Sequence, residues 1–511
     1  MKAFLMHADR DFDVGQAPPP GAAALTQDLG LPIVIAAMAG GDAFLKEVAT
    51  TALTASLVEV EAIRYRQAIL RDCRENPKTV RALYALAVEA IQREKKGYWG
   101  GLSKHPGYLL HRSVEVLEMF AEMLRRLRAM AERSGSDFES AGFRRFFAML
   151  TAELSDEYFA EIGEHLRRLR FRGGVPESAA LGRGLKGSDY RLRKPSDDGS
   201  GWFDWLLHRG RASFTYRLHE RDEAGARALS EMRDRGINLV ANALARSTEH
   251  ILSFFTLLRT ELAFYVGCLN LEEALAGRGQ RVCFPLPSPL GGRELGCAGL
   301  YDAALALSTE RKIVGNAANA DGKDIVIVTG ANQGGKTTFL RSLGLAQQMM
   351  QCGMFVPAER YSAAACSALF SHFKREEDAT MTSGKFDEEL ERMSGIADLI
   401  GAEALILFNE SFAATNEREG SEIARQIVRA LVERRVRVCF VTHMYDFAHG
   451  LAEEDDENIL FLRAERSDEG ERTFRMIEAA PLDTSYGEDL YRRIFGAEEA
   501  REEDVTRASA A

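Results

Sequence analysis

The chain has 511 residues, a formal net charge of -11 and 46% hydrophobic residues, so it is long enough for roughly two or three domains with their own cores. The acidic balance argues against a surface coated in positive charge for binding nucleic acid, although a local basic stripe is compatible with it. Seven cysteines without a Cys-x-x-Cys pair disfavour zinc sites and redox dithiols, and no run of about 18 apolar residues suggests a membrane span. We therefore expect a cytoplasmic protein with no membrane partner.

The first half of the chain predicts mainly helices. Residues 1–41 are expected to form a short strand and a linker, because the stretch APPPGAAALTQDLGLP is rich in proline and glycine. Residues 42–280 follow with helical periodicity. The clearest segment repeats apolar residues every three or four positions, at Val114, Leu117, Phe120, Met123, Leu124 and Leu127. This spacing is typical of long amphipathic helices.

Three segments complete this half. Residues 172–202 are rich in Gly, Ser, Asp and basic residues and predict an extended loop or a small irregular insertion. The basic side chains could contact phosphates or belong to a solvated loop: Arg183, Lys186, Arg191, Arg193 and Lys194. A last helical run, from 222 to 278, is apolar enough to be partly buried, and 281–313 is expected to be a connector.

From 314 to 511 the pattern changes to short apolar runs that alternate with helical segments. The runs DIVIV, ALILF and VRVCFV are of strand length and are separated by helices. Such runs are typical of parallel strands that are covered on both faces. The pattern therefore predicts an α/β nucleotide-binding domain.

The first of these runs leads into a Gly-x-x-x-x-Gly-Lys-Thr motif between a predicted strand and a predicted helix. Glycines allow backbone N–H groups to turn toward phosphate oxygens, Lys336 supplies a positive charge, and the Thr337 hydroxyl can complete a Mg2+ shell. The motif therefore predicts an ATP site with Mg2+. The predicted binding residues are Gly330, Ala331, Asn332, Gln333, Gly334, Gly335, Lys336, Thr337 and Thr338.

The strand ending at Asn409-Glu410 is expected to lie beside the motif and to provide the rest of the site. Glu410 is the candidate general base for activating water against the γ-phosphate. Asn409 occupies the metal-side position, where its amide oxygen can accept a hydrogen bond from a coordinated water but carries no charge. The next strand ends in His443, which is placed either to sense the γ-phosphate or to make a structural hydrogen bond.

These residues resemble one known family. TGANQGGKTTFLRSLGLAQQMMQCGMFVPA is similar to the Walker A region of the MutS-type DNA mismatch-repair ATPases, which is close to TGPNMGGKST followed by a helix and Gly-x-x-Val-Pro-Ala. NESFAATNEREG matches the family's DEIGRGTSTxDG position for position. The resemblance implies that Asn409 replaces the Walker B aspartate, that Glu410 is the catalytic glutamate, and that Thr415 and Glu419 fall on the family's Thr and later Asp.

The resemblance continues to the end of the chain but with departures. His443 falls on the family's histidine, and Ser485-Tyr486-Gly487 is similar to its Ser-Tyr-Gly helix start. The stretch that reaches the partner subunit's nucleotide, STFMxEM, is represented only by TSGKFDEELERM, so Ser383 is either this contact or a helix N-cap. The mismatch-reading Phe-x-Glu has no clear equivalent, because Phe120 and Phe159 lie in helical patterns.

The resemblance implies an ABC-like P-loop NTPase domain at the C-terminus, preceded by a mainly α-helical region similar to the family's core and lever. It further implies a homodimer that closes around ATP and acts on DNA without mismatch specificity. Two alternatives stay open. One is a nucleotide-gated structural or signalling protein that hydrolyses little ATP and binds a protein partner. The other is a genome-maintenance ATPase of the SMC or RecF kind, against which the sequence lacks an LSGG-like signature and an inserted heptad arm.

Overall fold

The structure is a computed structural model that describes residues 1–96, 106–170, 177–181, 187–192, 223–375, 384–467 and 472–482. The helices of this part of the chain are α1 (Ala22–Asp28), α2 (Leu31–Ala39), α3 (Ala43–Thr54), α4 (Val60–Glu75), α5 (Pro77–Lys96), α6 (Pro106–Ser134), α7 (Ala141–Glu153), α8 (Asp156–Leu169), α9 (Glu223–Ala276), α10 (Ala303–Ser308), α11 (Lys336–Gln351), α12 (Lys385–Leu399), α13 (Glu417–Glu433) and α14 (Tyr445–Ala452). A short 3-10 helix covers Gly135–Asp137. The strands are β1 (Glu177–Leu181), β2 (Gly187–Leu192), β3 (Leu286–Ser288), β4 (Leu295–Leu300), β5 (Asn316–Asn319), β6 (Ile325–Thr329), β7 (Arg360–Ala364), β8 (Leu369–Phe373), β9 (Leu405–Asn409), β10 (Arg437–Val441), β11 (Ile459–Arg466) and β12 (Arg472–Glu478).

The chain falls into two compact units that are not contiguous in sequence. The first unit comprises Met1–Ala3, Arg81–Phe138 and Arg144–Arg259, and the second comprises Phe4–Val80, Glu139–Phe143 and Thr260–Ala511. The sequence predicted contiguous segments with boundaries after 41, 280 and 313. The units differ from these segments because residues 4–80 pack together with the C-terminal strands.

In the first unit, α6 and α8 pack on part of α9. The apolar positions predicted for α6 are all buried: Val114, Leu117, Phe120, Met123, Leu124 and Leu127. Two of them, Val114 and Leu117, share a cluster of buried residues with Leu110 and with residues of the other two helices, namely Leu166, Ile237 and Ala241. Burial of the apolar face of α6 against these helices explains why its apolar residues recur every three or four positions, with charged residues between them.

The predicted insertion contains an antiparallel hairpin. β1 pairs with β2, and the register shifts between Ser178 and Ala180. Of the basic residues predicted there, Arg191 belongs to β2. The others lie outside the described residues: Arg183, Lys186, Arg193 and Lys194.

The second unit is built on a six-stranded sheet with the order β12-β11-β6-β10-β9-β8. All neighbours in this sheet are parallel except β11 and β12. The strands predicted from the apolar runs are present as β6, β9 and β10. Every residue of β6 and β10 is buried, as expected for strands that are covered on both faces. The carboxyl ends of these parallel strands consequently meet at one edge.

Alternate residues of these strands face two different layers of helices. Ile327, Ile406 and Phe440 belong to a core that also contains residues of α12, α13 and α14. On the opposite face, Gly344 of α11 packs closely on Leu407 and Leu29, so that a β-carbon at Gly344 would lie 2.6 Å from both side chains. The helix that follows the glycine-rich loop is therefore held tightly between β9 and the N-terminal segment.

The N-terminal strand predicted within residues 1–41 is absent, since the described chain from 1 to 21 contains only turns, bends and irregular backbone. The segment is fixed by side chains instead, because Leu5 N donates to the buried Glu261 carboxylate at 2.6 Å. The predicted Pro/Gly linker is mostly helix. Pro32 lies in the first turn of α2, a position where its missing N–H costs no intrahelical hydrogen bond.

The predicted connector, 281–313, is also ordered structure. It contains β3, β4 and α10, and these strands belong to a four-stranded sheet with the order β3-β7-β4-β5. The sequence does not reveal this sheet, because β3 has three residues and β5 reads Asn-Ala-Ala-Asn. Neither strand has the apolar alternation by which strands are recognised.

Within the described chain, one helical stretch, Ile237–Ala276, is long and apolar enough to cross a membrane, and the bent pair of α1 and α2 passes the same test jointly. The apolar window of the first stretch is 67% buried inside the protein. Burial in the core accounts for this composition.

Candidate nucleotide-binding site

The glycine-rich loop connects β6 to α11 at the carboxyl edge of the six-stranded sheet. Gly330 and Gly335 have φ values of +113° and +92°, in the region that residues with a β-carbon rarely adopt. A β-carbon at Gly334 would lie 2.8 Å from the Ala464 side chain of β11. α11 begins immediately after Gly335, so the loop surrounds the free N–H groups of a helix N-terminus.

Lys336 is folded into the loop that precedes it. Its Nζ donates to the carbonyl oxygens of Gly330 at 2.8 Å and Ala331 at 3.3 Å. It also lies 3.6 Å from Oε1 of Glu410. Burial lowers the pKa of the Lys336 ammonium, and the adjacent Glu410 carboxylate opposes this effect. Lys336 is therefore a buried cation whose present partners include two neutral carbonyl groups.

Asn409 ends β9 beside the start of α11. Thr337 Oγ1 donates to Asn409 Oδ1 at 2.9 Å, so the two predicted metal-side residues are in direct contact. Asn409 is held in register with Val441 of β10 and Phe373 of β8. The two oxygens are neutral donors of the kind that Mg2+ accepts, but they bring no negative charge. In the described chain, no group of three or more His, Cys, Asp or Glu side chains could hold a metal ion.

Glu410 follows Asn409 in a left-handed conformation, with φ of +55°, and its N–H donates to Val441 O at 2.9 Å. Its Oε2 forms a hydrogen bond with Nδ1 of His443. Burial raises the pKa of Glu410, but the His443 hydrogen bond and the Lys336 charge outweigh this, and the pKa lies below its usual value. The same hydrogen bond raises the pKa of His443. The Glu410–His443 pair therefore favours an ionised Glu410 carboxylate beside a protonated His443 imidazolium.

Lys336, Thr337, Glu410 and His443 line a cleft of about 740 Å³, a volume that suits a small ligand, whereas Asn409 lies outside the lining. The lining residues of the loop and of α11 are Asn332, Gln333, Gly335, Lys336, Thr337 and Thr338. An apolar part of the lining is contributed by Leu305, Ile313, Val314 and Phe474, of which Phe474 is 46% exposed. The cleft thus combines a polar loop with exposed apolar surface, including an aromatic ring.

The remaining predicted residues lie either outside the lining of the cleft or outside the described residues. Gly330, Ala331 and Gly334 belong to the loop but not to the lining. Thr415 Oγ1 donates to Glu419 Oε2 at 2.7 Å near the N-terminus of α13, outside the lining. Ser383 and the Ser485-Tyr486-Gly487 motif lie outside the described residues.

Three residues near the cleft were missed by the sequence analysis. Lys374 follows β8 directly and lines the cleft, and Phe474 lies on β12. Arg472 donates to Gln333 Oε1 at 2.8 Å and so ties β12 to the glycine-rich loop. Lys374 could have been found from its position at the end of an apolar run. The other two give no sequence signal, because the antiparallel strand β12 carries no motif.

Comparison with known protein families gives two matches on this chain. A model described as the MutS2 N-terminal domain matches residues 58–278, and one described as MutS domain V matches residues 326–498. MutS protein homolog 4 of Homo sapiens is 30% identical over 143 residues, which are 28% of this chain and 15% of that protein. DNA mismatch repair protein MutS of Thermotoga neapolitana is 28% identical over 193 residues, which are 35% of this chain and 22% of that protein. The chain thus spans less than a quarter of the length of these relatives.

Two MutS-type domain models on one chain, together with these relatives, establish its class: the chain belongs to the MutS family. The family predicted from the sequence is thereby confirmed. Within the family, the helical region is similar to the N-terminal domain of MutS2, a similarity that the sequence analysis did not identify.

Proposed function

We propose that this protein binds ATP in the cleft and hydrolyses it slowly, with an ABC-like P-loop NTPase fold in the described part of 314–511. The observation that carries the proposal is the meeting of the glycine-rich loop with Glu410 and His443 at one cleft. A loop of this kind before a helix N-terminus favours phosphate binding. The apolar lining with Phe474 is suited to a nucleobase.

In the proposed mechanism Lys336 binds the β- and γ-phosphates. Its present acceptors are two neutral carbonyl groups, at 2.8 and 3.3 Å. Exchange of these for negatively charged phosphate oxygens would pair the ammonium with an ionised acceptor and so strengthen its hydrogen bonds. This movement would also free Oε1 of Glu410, which Lys336 now approaches to 3.6 Å.

Glu410 then acts as the general base. Its freed Oε1 orients the attacking water and accepts a proton from it, while the hydrogen bond from His443 fixes Oε2. Mg2+, when bound, neutralises part of the phosphate charge. The residues that would hold it are Thr337 and Asn409, and because Asn409 is neutral we expect weak metal binding and slow turnover.

The relatives' names associate the family with DNA mismatch repair. We extend the proposal to a homodimer formed through the ATPase domain, in which ATP binding closes the dimer and hydrolysis reopens it, and which acts on DNA in repair or recombination. Binding to DNA is proposed to be indifferent to a single mismatch. A steep loss of DNA affinity with salt would support contacts to phosphates, and a preference for a G·T duplex over its paired control would contradict mismatch indifference.

The alternative function is a nucleotide-gated structural or signalling protein with a protein partner. The neutral Asn409 favours it, because weak metal binding could reduce hydrolysis to a trickle. The two functions share the nucleotide site and differ in turnover and in partner.

The nucleotide site is tested by titration of ATP into the wild type and Lys336→Ala. We expect a loss of at least about tenfold in affinity, because a charged hydrogen-bonding group contributes about 1.5–3 kcal/mol. The matched control is Lys323→Ala, which removes a half-buried lysine that bonds to Glu457 O, before the start of β6. Unchanged affinity in Lys336→Ala would overturn the site assignment.

A further inference from the structure

Lys374 is a cation at the same edge of the sheet as Asn409. β8 and β9 are parallel, with Phe373 in register with Asn409, and the Lys374 N–H donates to Asn409 O at 2.9 Å. The backbone therefore fixes Lys374 directly beside the neutral residue of the metal-side position. Its side chain is exposed and lines the cleft together with Lys336 and Glu410.

The neighbouring Arg375 differs from Lys374 in having an ion-pair partner within the described residues. Arg375 does not line the cleft, and its guanidinium forms an ion pair with the Asp28 carboxylate at 2.8 Å. For Lys374, no carboxylate of the described chain lies within ion-pair distance of the ammonium group. Its charge nevertheless reaches the site, since it acts to lower the pKa of His443.

The charges of the cleft are unusual for an acidic protein. Four lining residues are basic, Arg311, Lys312, Lys336 and Lys374, and Glu410 is the one acid among the lining residues of the described chain. With Asp at 409 and no lysine at 374, the carboxyl edge would carry one more negative charge and one fewer positive charge. At an edge of that kind a divalent cation offsets the repulsion between the carboxylates and a bound polyanion.

We propose that Lys374 takes over part of the charge neutralisation of Mg2+ by binding the terminal phosphate of the nucleotide, so that this site accepts ATP without a metal ion. The proposal rests on the proposed function, because it assumes that the glycine-rich loop holds the other phosphates. Asn409 and Lys374 are then complementary: the first removes a charge that would require metal, and the second supplies a charge that replaces it. Metal remains useful for turnover but is not needed for binding.

The proposal is tested by calorimetric titration of ATP into the purified full chain, once with Mg2+ and once with excess EDTA. The wild type is expected to bind ATP under both conditions with affinities that agree within about tenfold. Lys374→Met is expected to lose about ten- to hundredfold in EDTA, the effect of one charge-assisted contact, and clearly less with Mg2+. Lys374→Arg keeps the charge and is expected to retain binding in EDTA.

The matched control is Lys312→Met, which removes a lysine from the same cleft but not from the carboxyl edge of the sheet. It is expected to weaken binding equally with and without Mg2+. Loss of wild-type binding in EDTA, or equal metal dependence of Lys374→Met and Lys312→Met, would overturn the role of Lys374 and leave the nucleotide site intact. Absence of ATP binding under both conditions would overturn the proposed function as well.

Discussion

Asn409 is the residue at which this chain departs most clearly from a metal-dependent ATPase. Restoring a carboxylate with Asn409→Asp would place a unit charge about 4 Å from the divalent Mg2+, an interaction of roughly 8 kcal/mol at an effective dielectric constant near 20, less when water intervenes. We expect the Mg2+ concentration for half-maximal ATPase activity to fall by at least about tenfold. The measurement is a Mg2+ titration of the ATPase activity of the wild type and of Asn409→Asp. An unchanged requirement would remove Asn409 from the metal site.

Glu261 provides a test of stability that is independent of nucleotide. It is fully buried and accepts hydrogen bonds from Leu5 N at 2.6 Å and Phe12 N at 3.4 Å. Burial raises its pKa from 4.5 to about 7. The folded state therefore binds an additional proton between these pH values, and stability is lost as the pH rises through about 7.

The substitution Glu261→Gln removes this proton linkage. We expect the variant to be more stable than the wild type at about pH 8, by up to roughly 3 kcal/mol, and nearly equal to it at about pH 5. Urea unfolding at the two pH values gives the free energies. A difference that does not change with pH would show that Glu261 does not titrate in this range.

At the scale of residues, the sequence predicts the phosphate loop because Lys336 and Thr337 occupy fixed positions in a motif whose spacing follows from its chemistry. It does not predict Lys374, because this residue follows β8, which lies three positions away from β6 in the sheet. The conformation of Phe412 is equally unexpected. This residue has a φ of +65° and falls where the family's pattern has a glycine, and its fully buried ring packs in the core.

The segment after Glu410 is held by a buried polar cluster between β8 and α12. Ser411 Oγ donates to His372 O at 2.6 Å and lies 2.8 Å from His372 Nδ1. His372 Nε2 lies 3.0 Å from Glu389 O, and Glu389 Oε2 accepts from Phe412 N at 2.8 Å. The cluster fixes the backbone on the carboxyl side of the proposed base.

We expect Ser411→Ala to lower the free energy of unfolding by about 1–3 kcal/mol, because buried polar groups lose their partner. Turnover should fall as well, since the backbone that positions Glu410 loses an anchor. The matched control is Ser421→Ala, which removes another buried hydroxyl, one with no hydrogen-bond partner in the described chain. Denaturant unfolding of both variants makes the comparison. Equal losses would show that the cluster has no special role.

At the scale of elements, the apolar runs predict β6, β9 and β10, and periodicity predicts α6 and α9, because each of these elements buries a continuous face. The elements that sequence analysis misses are short or lack a pattern. β3 has three residues, and the N-terminal segment is fixed by the distant Glu261 rather than by a local signal. Such long-range contacts are not encoded in a window of neighbouring residues.

At the scale of the whole molecule, the N-terminal helices pack within the second unit against the element that follows the glycine-rich loop. The Leu57 N–H donates to Gln351 O at 2.7 Å, and the Gln348 side chain bonds to Ser56 Oγ at 3.1 Å. Through these hydrogen bonds, a movement of α11 on nucleotide binding would also displace Ser56 and Leu57. Domain boundaries predicted after residues 41 and 313 could not show this packing, because they divide the chain into contiguous segments.

The proposed dimer is tested by sedimentation. Glu410→Gln with ATP is expected to sediment as a dimer, because a blocked hydrolysis step retains the ATP-bound closed state. Lys336→Ala is expected to remain monomeric under the same conditions, because its phosphate contact is lost. A monomer in every nucleotide condition would count against a site completed by a partner subunit.

We propose that the cleft hydrolyses ATP with Glu410 as the general base, and phosphate release at saturating ATP and Mg2+ measures this activity. The comparison is between the wild type and Glu410→Gln, with Glu433→Gln, an exposed glutamate at the end of α13, as the matched control. We expect slow release by the wild type and the control, and a loss of at least about a hundredfold in Glu410→Gln with ATP binding retained. Equal release by wild type and Glu410→Gln, or no release by the wild type at any Mg2+ concentration, would contradict it.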